Sequence, residues 1–170
     1  MRIAFIGAGT MAQAISQGAH ATNPTWEFTF YDRASKVAQY AAQQVQGQAL
    51  PDPAATADAD LIVLAVKPQH QSEALKELPT TRACLVSIAA GRSLGQIAQD
   101  LQDTPNADAA IIRTMPNLNA TVGQSATAIC ANANATEEQL EQTRALFESA
   151  GMTQDLPESL FAVFSAMAGC

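Results

Sequence analysis

Short apolar runs recur along this chain, and amphipathic stretches separate them. Residues 2–6 (RIAFI) are apolar behind a single Arg, and residues 60–66 (DLIVLAV) are apolar behind a single Asp. A continuous run of this length reads as a strand buried on both faces, as in a parallel sheet. The same reading applies to residues 27–31, 83–88, 109–113, 125–131 and 152–155, with a short strand near 48–50. Between these runs the apolar positions recur at helical spacing. Helices are predicted over 10–21, with Met11, Ile15 and Gly18 on one face, and over 34–45, 71–78, 93–101 and 136–150. A brief helical turn is expected near 53–57. Ser93 with Gln96, and Thr136 with Gln139, fit the capping box, in which a side chain and the main chain cap each other reciprocally. Gly151 is expected at the C′ position behind the last of these helices.

Strands alternating with helices imply βαβ units. The fold expected is therefore α/β: a Rossmann-type, mainly parallel sheet with helices on both faces. The sequence closes on ESLFAVFSAMAGC, an apolar helical pattern without a polar tail. A helix this apolar has to bury itself against something. The expectation is a fragment whose continuation is helical.

Composition narrows the field. About half of the 170 residues are apolar (48%), enough for a full core without disulfides. A net charge of −7 argues against a nucleic-acid partner, because phosphate binding needs clustered Lys and Arg. No apolar run approaches the roughly 18 residues of a membrane span. The first residues read as a strand, not a signal peptide. Cys84, Cys130 and Cys170 lack metal-ligand spacing, so no metal is expected. Cys84 and Cys130 lie in strand-like runs and read as buried thiols. That usage points to an intracellular, cytoplasmic protein.

The first strand runs straight into GAGTMA. Gly7, Gly9 and Ala12 fit the dinucleotide fingerprint G-x-G-x-x-G/A. Gly7 permits the tight turn, Gly9 lets the main chain approach a pyrophosphate, and Ala12 lets the helix pack close to the strand. The amides and dipole of the helix N-terminus then face the phosphates. The context agrees: first strand, first helix, then a second strand closing on charged residues. That strand ends FYDRASK. Asp32 stands where an acid would bond the adenosine ribose of NAD. Arg33, with Ser35 and Lys36, suits the 2′-phosphate of NADP. NADP is the preferred expectation, with NAD kept beside it.

Four motifs follow in order: GAGTMA, LAVKPQ at 64–69, SIAAG at 87–91 and RTMPN at 113–117. In that order and spacing the chain resembles pyrroline-5-carboxylate reductase over nearly its whole length. The resemblance implies an N-terminal Rossmann-type domain, here residues 1–155, and an all-helical dimerisation domain beginning at residues 156–170. It implies hydride transfer from NADPH or NADH to the cyclic imine 1-pyrroline-5-carboxylate, giving proline, in a homodimer or higher homo-oligomer. By resemblance, Ile6, Gly7, Ala8, Gly9, Thr10 and Met11 hold the pyrophosphate. Ala65, Val66, Lys67 and Pro68 lie along the nicotinamide half, and Ala89, Ala90 and Gly91 pass beneath it. Met115, Pro116 and Asn117 line the nicotinamide and substrate pocket. All three loops follow the ends of predicted strands, where open α/β sheets bind ligands.

Two departures stand out. The family usually continues MPN with Thr-Pro, whereas Leu118 and Asn119 follow here. The family's helical domain opens on a hydroxyl-rich stretch that helps bind substrate. In SAMAGC, Ala168 and Cys170 stand where hydroxyls are common, which implies fewer polar contacts to a substrate carboxylate. No residue stands out as a general acid, and His20 and His70 both read as surface residues. Lys67 also reads as a cap or a solvent-facing residue, and Arg113 equally as an ion-pair partner. Two further readings stay open: a β-hydroxyacid-dehydrogenase-like oxidoreductase on the same scaffold, and a nucleotide-binding module without catalysis.

Overall fold

The structure, a computed structural model, describes residues 1–168. Strand β1 (Arg2–Ile6) lies between β2 (Glu27–Tyr31) and β4 (Leu61–Leu64), parallel to both. β3 (Gln48–Ala49) extends one edge, and β5 (Cys84–Ser87) and β6 (Ile111–Met115) extend the other in parallel. β7 (Ser125–Ala131) then pairs antiparallel to β6, and β8 (Gly151–Asp155) runs parallel to β7. The full order is β3-β2-β1-β4-β5-β6-β7-β8. This is the Rossmann-type, mainly parallel sheet that the alternating pattern predicts.

Because side chains alternate across a strand, each central strand feeds two cores. Ile3 and Phe5 face one side, where Phe5 stacks on Phe30 with ring centroids 5.2 Å apart. Three helices cover that side: α1 (Thr10–Thr22), α2 (Ser35–Gln44) and α5 (Glu137–Glu148), through Ile15, Ala41 and Phe147 among others. Ala4 and Ile6 face the other side, under α3 (Gln71–Lys76) and α4 (Leu94–Leu101), which contribute Leu75 and Ile97. Each large aliphatic or aromatic side chain buried this way contributes roughly 1.5–3 kcal/mol. Both expected capping boxes form, Ser93 with Gln96 and Thr136 with Gln139.

Several details differ from the sequence reading. β6 starts and ends two residues later than predicted. The Asn132 side chain accepts from the Ile111 amide and donates to the Ala109 carbonyl, so a side chain stands in at the expected first rung. α5 ends at Glu148 with Ser149 as its cap, so Gly151 is not its C′ residue. Gly151 opens β8 instead, where an added Cβ would run into the Ser125 main chain. His20 is not a surface residue: it is half-buried, edge-on to Phe28, with Nδ1 buried and unpaired among the described residues. Cys84 is buried, and burial pushes its thiol up to about 12. Cys130 is half-buried and pushed up to about 11 by burial and then by Glu158. Cys170 lies outside the described residues.

The final helix, α6 (Phe161–Ala168), packs through Phe161, while Val163 and Met167 remain exposed. Arg113 fixes its start. The guanidinium lies 4.4 Å from the Phe161 ring centre, and Nη1 bonds Glu158 Oε1 at 2.9 Å. Arg113 is thus the ion-pair partner of the two readings open for it. Among the described residues no helix is long and apolar enough to cross a membrane.

Candidate functional site

β1 and β4 are neighbours in the sheet although β2 and β3 intervene in sequence. The loops behind them therefore leave toward opposite faces, α1 on one and α3 on the other. Such a switch point opens a crevice at the C-terminal ends of the strands.

Gly7 shapes the near wall of that crevice. It holds φ at 95°, which an L side chain rarely adopts, and donates its N–H to the Tyr31 carbonyl at 2.8 Å. A Cβ at Gly7 would stand 2.7 Å from the Ala65 carbonyl carbon, so two binding loops meet main chain to main chain. Gly9 differs. A Cβ there would meet nothing within 4 Å, so the space above the start of α1 is open. Gly9 provides no side-chain cap, and the first turn of α1 carries no acid. First-turn amides have no intrahelical acceptor, and the helix dipole favours an anion beside them. An open cradle of main-chain donors fits a pyrophosphate.

Asp32 braces this turn. Its Oδ2 accepts from the Ala8 amide at 3.0 Å and its Oδ1 from the Ala34 amide at 2.9 Å. The carboxylate thereby ties the glycine turn to the end of β2.

A cleft of about 340 Å³ opens here. Of the residues predicted to hold a cofactor, it is lined by Ile6, Gly7, Gly9, Asp32, Arg33, Ala65, Val66 and Lys67. Tyr31, His70, Ala74 and Glu77 join them. Ala8 is buried and contributes its main chain, and Thr10 and Met11 form the first turn of α1. Pro68 opens a short 3-10 turn, Pro68–His70, that leads into α3, while Lys67 is exposed.

Arg33 does not stand free. Its Nη2 lies 2.7 Å from Glu73 Oε1 and 3.8 Å from Glu77 Oε1, both carried by α3 and its cap. The hydrogen bond from Arg33, and then its charge, hold the Glu73 carboxyl below its usual range.

The Ala89–Ala90–Gly91 loop lies behind β5 and rests on a polar network. Ser87 Oγ accepts from Gln71 Nε2 at 2.6 Å and from the Ala89 amide at 3.2 Å. Arg92 donates to Gln71 Oε1 at 3.2 Å and pairs with Asp100. Gln71 and Ser87 are fully buried, where low local polarity strengthens their hydrogen bonds. Glu158 Oε1 also accepts from the Leu94 amide at 2.7 Å, joining the start of α4 to Arg113.

Met115, Pro116 and Asn117 sit at the end of β6, outside the lining of the cleft. Asn117 donates its side-chain amide to the Ala168 carbonyl at 2.7 Å. Its Oδ1 is buried without a partner among the described residues. The structure thus gathers the glycine turn, the end of β2 and the 65–67 loop into one cleft, and leaves the 89–91 and 115–117 loops outside its lining.

The family described as NADP oxidoreductase, coenzyme F420-dependent, matches residues 2–91, more than half of the chain. The chain belongs to that family. It is also 33% identical over 174 residues to a pyrroline-5-carboxylate reductase of Synechocystis sp., covering 99% of this chain and 63% of that one. Among solved structures, the 1-pyrroline-5-carboxylate reductase of Streptococcus pyogenes superposes with a TM-score of 0.86 at 33% identity, covering 99% of this chain and 63% of that one. The pyrroline-5-carboxylate reductase of Coxiella burnetii superposes with a TM-score of 0.90 at 25% identity, covering 98% and 63%. The resemblance read from the four motifs therefore holds along the chain. The chain spans 63% of the length of these relatives.

Sequence reasoning missed Glu73, Glu77, Gln71 and Glu158. One signal was available for the first two: acids four residues apart within the predicted helix 71–78 share a face. Nothing in the sequence says which cation that face meets.

Proposed function

We propose that this chain is the cofactor-binding portion of a pyrroline-5-carboxylate reductase. The reaction is reduction of 1-pyrroline-5-carboxylate to proline, the last step of proline synthesis, with NADP(H) preferred over NAD(H). The bound dinucleotide supplies the hydride. The observation that carries the reading is the open cradle at Gly9, at the switch point of a chain similar to these reductases over its length.

The chain's own residues then work by positioning. The amides of Gly9, Thr10 and Met11 take the pyrophosphate, while Ile6, Gly7 and Ala8 set their geometry. Asp32 and Arg33 bound the ribose end. Ala65, Val66, Lys67 and Pro68 flank the nicotinamide, and Ala89, Ala90 and Gly91 form its floor. Met115, Pro116 and Asn117 line the substrate side, where the unpaired Asn117 Oδ1 can accept a hydrogen bond. Residues 1–155 form the nucleotide domain, and residues 156–170 begin a helical domain through which copies associate. The exposed apolar residues of α6 support that association. The free thiols Cys84 and Cys130 support a cytoplasmic setting.

The test uses the protein as its gene encodes it. It should oxidise NADPH, followed by absorbance, on addition of 1-pyrroline-5-carboxylate, and it should not reduce NADP+ on addition of β-hydroxyacids. Turnover of hydroxyacids alone, or cofactor binding with turnover of neither, would overturn the reading.

A further inference from the structure

The ion pair at the ribose end of the cleft works against the ligand proposed for it. The inference drawn from it rests on the dinucleotide reading above. Arg33 follows β2 and lines the cleft together with Lys67, His70 and Glu77. Asp32, the acid that could receive ribose hydroxyls, already has one main-chain amide on each oxygen. Arg33 is therefore the adjacent group on which discrimination of a 2′-substituent turns. Yet its Nη2 is held by Glu73 at 2.7 Å, with Glu77 at 3.8 Å on the next turn. All three side chains are about half exposed, so the pair is dynamic and can be exchanged.

A 2′-phosphate and the two carboxylates compete for one guanidinium. When the phosphate takes Arg33, Glu73 and Glu77 are left unpaired beside a dianion, and like charges at short range repel. A 2′-hydroxyl carries no charge and meets neither penalty. We propose that Glu73 and Glu77 are specificity residues: by holding Arg33 they narrow the margin by which the site prefers a 2′-phosphorylated dinucleotide over the unphosphorylated one.

The experiment titrates NADPH and NADH into the wild-type chain and into Glu73→Gln/Glu77→Gln, following cofactor fluorescence at low salt. Both glutamates are exposed, and matching thermal unfolding establishes that the variant is folded. The Kd for NADPH should fall about three- to fivefold, the upper part of the range expected for losing exposed ion pairs because two carboxylates are removed, while that for NADH changes by less than about twofold. On an Arg33→Ala background the same double substitution should tighten NADPH by less than about twofold. Equal shifts for the two coenzymes, or no shift for NADPH, overturn the proposal and leave the dinucleotide reading intact. A gain of full size on the Arg33→Ala background shows repulsion without sequestration and overturns the ion-pair account. If the wild type binds neither coenzyme, the dinucleotide reading fails and the proposal falls with it.

Discussion

Gly7 and Gly9 stand two positions apart and do different jobs, and substitution separates them. At Gly7 the backbone has positive φ and a Cβ would press on the Ala65 main chain. Gly7→Ala should lower the unfolding free energy by about 1–3 kcal/mol, measured by urea denaturation. At Gly9 the backbone is ordinary, and the protein leaves the Cβ position empty. Gly9→Val should cost no more than about 1 kcal/mol of stability, since Val is a poor N-cap for α1, yet weaken NADPH binding about tenfold or more, because its side chain fills the phosphate cradle. A fluorescence titration with unchanged affinity would count against the cradle. The fingerprint made both glycines visible in the sequence but not this division of labour, which depends on how closely the 65–66 loop approaches. Arg33 was legible as a cation at the end of β2, and it lines the cleft. Its partners were not, because their apposition needs β2 and α3 to meet across the switch point.

At the scale of elements, the apolar runs marked the central strands β1, β4, β5 and β6, because a strand covered on both faces has no reason to alternate. The helix starts were equally legible where a cap is written in the sequence. Ser93→Ala removes the side-chain acceptor for the Gln96 amide and should cost about 1 kcal/mol of stability, read from the denaturation midpoint. The consequence reaches the site, since α4 begins two residues after Arg92, which braces the 89–91 loop through Gln71. Edges were less legible. The two-residue shift of β6 comes from Asn132, a side chain bonding main chain 21 residues away. No local pattern carries that information. The end of α5 was misread for a related reason: Gly151 is required by the approach of β7, not by the helix before it.

For the whole molecule, Glu158 holds distant parts together. One oxygen accepts from Arg113 on β6 and from the Leu94 amide at the head of α4, just ahead of α6. Arg113 is only 11% exposed at its side chain, so removing the carboxylate strands a mostly buried cation. Glu158→Gln should cost about 2 kcal/mol, less than a fully buried pair because Glu158 itself reaches solvent. Thermal unfolding should show it as a drop in Tm of about 4–8 °C. The reversal of β7 has a practical side. It turns the late chain around, so that α6 climbs back to the rim where β6 ends and brings Ala168 onto Asn117. Met1, at the foot of β1, lies on the far rim. A fluorescent probe attached to the exposed side chain of Met167 would therefore report from the Asn117 end of the sheet, whereas one at Met1 would report from the opposite end.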